Sequence, residues 1–530
     1  MPLNRRSFLG LRPKSETDTP YAPGLSIAAG LEAHGAPLEA SDIKHALRRT
    51  AFGTPPGAAD LWQGRSAQEF ADGTVDAALG LPMPDPPVWA NEAAPDRTWT
   101  QDERRAYVDA SNEWLAEFRL DWLSRMQADG FRERLALAWH NHFVTGVGSY
   151  RFAVYAYRYV SLLREHALGN LKDFVRAVGL DPAMLIYLNG IQNRVGAPNE
   201  NYARELMELF TMGPAGPDGS ANYSEDDIRE LARALTGWQV SPTDLAAVFN
   251  PARHDAGLKT IFGVTGNFGY FDGVDLLFDQ RGPQIAHFVC AHLYRTFVYS
   301  VVDEAVVAEM ASLLIASDFE LAPVLRTLFS SAHFFDPAAQ GVQIKSPIDL
   351  VMSLSIETGI QPSNQTLLVL NRTIRQMGQV ILDPPNVAGW PGHHDWINTN
   401  TLPSRWLLAD TFLSGRGGTD IEMIGLCEQI HDALDTEAAF RLPLALVEHL
   451  VPAQAELLDI PVITDDFGGD LINFPVPDWL NTSPPHIRNL AKLFLGGLPW
   501  YEWSLYVPGA NERVVSFVRQ IAQYPEFQLA

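Results

Sequence analysis

The sequence predicts an all-α protein, a multi-helix globular array with a small β-hairpin or loop insertion near residues 260–275. Three observations carry this reading: apolar side chains recur at helical spacing in ten segments, helix-start chemistry stands before one of them, and one glycine-rich stretch breaks the period.

The first observation is clearest over 131–143, where Phe131, Leu135, Ala138, Trp139 and His142 fall on one face at about 100° per residue. Comparable stripes run through 112–126, 152–165, 199–211, 224–235, 283–298, 306–315, 323–330, 365–380 and 436–450. The second is seen at Ser224, which precedes Glu225, Asp226 and Asp227. It places an accepting hydroxyl and negative charge at the exposed N–H groups of a helix start. The third is the run from Gly263 to Val274, which holds four glycines and three aromatic residues and reads as a loop or hairpin excursion. Proline-rich stretches at 82–95 and 461–485 lack a helical stripe and read as linkers.

Composition narrows the function classes. With 530 residues, 46% of them hydrophobic, the chain can bury a large core. The formal net charge of -24 repels a phosphate backbone, so nucleic acid is disfavoured as a partner. Two cysteines, Cys290 and Cys427, exclude a multi-thiolate metal site and allow at most one bridge. No apolar run approaches the roughly 20 residues of a transmembrane helix. The start of the chain, Asn4-Arg5-Arg6-Ser7-Phe8-Leu9-Gly10, matches a twin-arginine export motif. A polar continuation, Leu11 to Asp18, replaces the apolar core of a working leader. Export to the periplasm is therefore set against a cytoplasmic location.

An ordered series of blocks follows. They are His45-Ala46-Leu47-Arg48-Arg49-Thr50-Ala51-Phe52-Gly53, Trp139-His140-Asn141-His142-Phe143, the run Asn199 to Gly213, Leu231 to Trp238, His254-Asp255 with Lys259, and Pro384 to Gly392 with Trp396 and Arg405. Together these blocks resemble the bacterial family catalogued as domain of unknown function 1800, over roughly Asp42 to Leu413. The resemblance implies a tail at 1–38, a helical core domain at 39–413 and a helical extension at 414–530 packed on it. It also implies an envelope location and a partner, an exported sulfatase-like protein encoded nearby.

Candidate chemistry lies in four places. His140 and His142 form a His-x-His pair, but in a continuous helix they point about 200° apart and meet one ion only if the helix ends there. Asn201, Arg204, Glu205 and Glu208 form a polar stripe, where two carboxylates three apart can bind a metal or act as acid and base. The plain alternative is a solvated face with an Arg204 to Glu208 ion pair. His254-Asp255 offers a ligand, or a histidine held in one tautomer by a carboxylate; a hydrogen-bonded loop turn competes with this. Trp390 and Trp396 flank His393 and His394 in a turn-rich loop that stacks on a sugar if exposed and locks the loop if buried.

These residues predict a polar interior site for a divalent metal or small ligand, with hydrolytic or redox chemistry. Glu205, Glu208 and Arg204 would be catalytic, Asn201, Trp390, Trp396 and Arg405 would bind ligand, and His140, His142, His254 and Asp255 would hold metal. The alternatives are a non-catalytic escort of an exported protein and, more weakly, a glycan-binding protein. No phosphate-binding P-loop, nucleophile elbow, zincin or dinucleotide motif occurs.

Overall fold

A computed structural model describes residues 24–416, 418–432, 435–452, 458, 460, 462, 463, 467 and 469–530. The leader-like segment Asn4 to Gly10 lies outside them. Helices make up 58% of the structure, with two small two-stranded antiparallel sheets. Among the helices, those that position the polar interior are α1 (Ala40–Thr50), α2 (Gln101–Ala128), α3 (Gly130–His142), α4 (Ala153–His166), α5 (Tyr270–Phe297), α6 (Pro347–Thr358) and α7 (Thr401–Phe412).

Their starts follow from sequence. Thr100 accepts from Glu103 N, and Glu103 accepts in return from Thr100 N, so two otherwise orphaned donors at the head of α2 are satisfied together. Ser346 with Asp349 does the same for α6, and Ser224 with Asp227 for the helix Glu225–Ala234, where the sequence places a start. Within α5, Pro283 has no N–H to donate. Arg281 leaves helical geometry (φ -135°, ψ 20°) and takes up the bend.

Three features differ from expectation. The insertion is a hairpin of β3 (Lys259–Ile261) and β4 (Val264–Gly266), preceded by a second hairpin, β1 (Trp238–Ser241) with β2 (Ala246–Phe249), that the sequence reading does not anticipate. Helix α5 begins at Tyr270, inside the stretch read as loop. The reason is packing: a Cβ at Gly273 would lie 2.9 Å from Leu231 Cδ1, so this glycine lets two helices approach and marks no turn. The stripe at 199–211 is also not one α-helix. A short turn, Asn201–Glu205, passes into a π-helix at Leu206–Thr211, with Met212 N bonded to Met207 O.

One continuous apolar core runs from Leu38 to Phe527, with Trp122, Trp139, Phe143 and Phe210 fully enclosed. The last part of the chain is tied to the rest: Leu529 bridges Ile344, and Arg48 donates to His449 O at 2.6 Å. Among the described residues no helix is long and apolar enough to cross a membrane.

Candidate functional site

Helix α3 ends at His142, yet its two histidines still diverge. His140 is fully buried, stacked on Trp390 and edged by Trp122. Neither ring nitrogen has a hydrogen-bond partner among the described residues. Burial pushes its pKa down to about 4, so the ring is neutral. His142 turns the other way. Its Nε2 donates to Phe210 O at 2.9 Å and its ring packs against His292, centroids 4.5 Å apart. Burial again holds it near 4, and the carbonyl fixes the tautomer with the proton on Nε2.

The polar stripe is spread by the π-helix. Arg204 pairs with Glu200 and Glu225, at 3.3 and 2.7 Å. Glu208 accepts from the Tyr223 hydroxyl at 3.2 Å, and Glu205 faces Tyr187, whose phenol is pushed up to about 12 by burial and then by that carboxylate. Asn201 is exposed. A surface groove of ≈ 670 Å³ is lined by residues that include Glu200, Asp227, Glu230 and Arg233.

His254 and Asp255 separate into two local bonding patterns. His254 Nδ1 donates to Thr236 O at 3.0 Å, so a backbone carbonyl, and not the adjacent carboxylate, sets its tautomer. Asp255 receives Arg233 through Nε at 2.8 Å and Nη2 at 3.2 Å, which holds its carboxyl below the usual range. Trp390 and Trp396 are 5% and 7% exposed, so both rings are packed inside. The structure therefore does not bring His140, His142, His254 and Asp255 together. Among the described residues no three His, Cys, Asp or Glu side chains are grouped to hold an ion.

A different polar cluster is assembled. Arg405, on α7, donates through Nε to Gln528 Oε1 at 2.9 Å and through Nη2 to Lys345 O at 2.8 Å. Lys345 Nζ sits 4.4 Å over the Phe527 ring, and burial lowers its pKa to about 8. On α1, Arg48 binds Glu357 Oε1 at 2.7 Å with both side chains buried, while Arg49 Nη2 donates to Ala339 O at 2.9 Å. Arg49 is lowered to about 9 by burial and then by the like charge of Arg134. Arg134 binds Asp349 at 2.5 Å, and this pair, 13% and 19% exposed, is where the cluster reaches solvent. Asp349 acts electrostatically on Arg49, Lys345 and Arg405 alike, and the half-buried His393 feels Arg49. The atoms Arg49 Nε and Nη1, Lys345 Nζ and Arg405 Nη1 have no hydrogen-bond partner among the described residues.

Of this cluster the sequence reading selects Arg405 alone. Arg48 and Arg49 stand in the first block, and an arginine pair among the apolar positions of an amphipathic helix is a readable sign of buried charge. Lys345 carries no such sign, because its burial comes from contacts with a segment 182 residues away.

Fold and cluster define a mostly helical protein whose apolar core encloses a cluster of basic side chains. The chain belongs to the family described as Protein of unknown function (DUF1800), whose model matches residues 45–528, so the likeness runs well beyond Leu413. No curated protein and no solved structure matches it.

Proposed function

We propose that this protein holds a small polar ligand inside its helical core, acting in the cell envelope to which the Asn4 to Gly10 motif would direct it. One observation carries the reading. The block His45 to Gly53, the loop that carries His393, and Arg405 are distant in sequence, yet they supply one buried cluster with unpartnered donors on Arg49, Lys345 and Arg405. Buried polar atoms are rarely left unbonded, because each costs about 1–3 kcal/mol. Ligand binding is favoured over a metal centre because the histidines and carboxylates make separate local bonds, as described above.

The test is thermal stability of the purified full chain across small neutral, cationic and anionic compounds, repeated on Arg405→Met. A saturable rise with at least one compound, lost in the variant, is expected. A flat response throughout would remove the reading.

A further inference from the structure

Resting on that reading, we infer that the ligand is a multiply charged tetrahedral oxyanion, of the phosphate or sulfate class, received by Arg49, Lys345 and Arg405. Five cationic side chains, Arg48, Arg49, Arg134, Lys345 and Arg405, stand in the cluster against two carboxylates, Asp349 and Glu357. Glu357 Oε1 accepts from Arg48 and Thr54 N, its buried Oε2 has no hydrogen-bond partner among the described residues and its charge acts on Lys345, and Asp349 is bound by Arg134 and the start of α6. Three positive charges are left over, in a chain whose net charge is -24.

Such a surplus is costly where it lies. Arg49, Lys345 and Arg405 are 2%, 2% and 1% exposed, and an uncompensated buried charge is destabilising unless an opposite charge is brought to it. Donor type selects the class of anion. Two planar guanidinium groups and an ammonium together match an anion with several equivalent oxygens and more than one charge, whereas a monocarboxylate offers two oxygens and one charge. Burial lowers the pKa values of Arg49 and Lys345 to about 9 and about 8, against the opposing charge of Asp349 on both and of Glu357 on Lys345. Entry is by the Arg134–Asp349 pair, the part of the cluster in contact with solvent.

The experiment is isothermal titration of the full chain, dialysed free of phosphate and sulfate, with inorganic phosphate, sulfate, phenyl phosphate and acetate, using chloride to match ionic strength. One-to-one binding of phosphate or sulfate is expected, with at least a tenfold loss in Lys345→Met. That variant should melt no lower than the parent in anion-free buffer, because it removes a buried charge. Binding of phenyl phosphate but not inorganic phosphate would place the oxyanion on a larger molecule, and the reverse would mark the free ion. Binding of acetate alone would overturn the oxyanion class and leave an interior ligand site standing. Phosphate, sulfate and phenyl phosphate titrations that all stay flat in the parent protein, or an unchanged affinity in Lys345→Met, would overturn the inference even if the variant folds poorly. A compound from the stability panel that still binds would then show the broader reading intact.

Discussion

The imidazole of His140 lies on the indole of Trp390, ring centroids 5.7 Å apart and planes 23° from parallel. This contact joins α3 to the loop after Pro384 and buries a ring that must stay neutral. A histidine whose folded pKa is lowered supports the fold above its ordinary value of 6.5, and that support is lost as pH falls toward 4. His140→Phe removes the titration and keeps a ring for Trp390. The variant should lose less stability than the parent between pH 7 and pH 5, by roughly 1 to 2 kcal/mol. Urea unfolding at the two pH values measures this, and equal losses would count against it.

Glu133 is enclosed with Arg164, whose Nε meets both of its carboxylate oxygens at 2.9 Å, while Trp122 Nε1 donates to it at 2.8 Å. Glu133→Gln leaves Arg164 buried without its counter-charge and should cost roughly 3 to 5 kcal/mol. Adding Arg164→Met should recover part of that. Chemical denaturation of the single and double variants decides whether the two effects are coupled.

Gly389 sits at φ +82°, and a Cβ there would lie 2.4 Å from Asn141 Oδ1 and 2.6 Å from its backbone oxygen. The loop can reach Asn141, whose Oδ1 accepts from Trp390 N at 2.7 Å, only without a side chain at this position. Gly389→Ala should lower stability by roughly 1 to 3 kcal/mol. A melting temperature equal to that of the parent would show that the loop yields more readily than this geometry allows.

Export is testable independently of the interior. The first 38 residues fused to a reporter active only outside the cytoplasm should give signal, and changing Arg5 and Arg6 to Lys should abolish it. Signal that survives the double change would end the twin-arginine proposal.

Much of the fold was legible because it rests on local rules. The stripe of 131–143 and the Ser224 start are set by neighbours within a turn or two, and both stand where the spacing puts them. Other features depend on distant contacts. Gly273 looks like a loop residue until Leu231 lies against it, and the β1–β2 hairpin has little apolar alternation to announce it, three of the four residues in β2 being exposed. The same division holds for the interior. The divergence of His140 and His142 follows from helix geometry, while the company kept by Lys345 and Arg405 depends on Phe527 and Gln528, which no local pattern connects to them.

The wide turn from Leu206 to Thr211 has a consequence of its own. A spacing of five holds one residue more than an ordinary α turn would, and Phe210, whose carbonyl receives His142, stands within it. Deleting a single residue there would wind the turn tighter and swing that carbonyl away, even with every side chain left chemically suitable. At this place the protein is sensitive to the count of residues as much as to their kind.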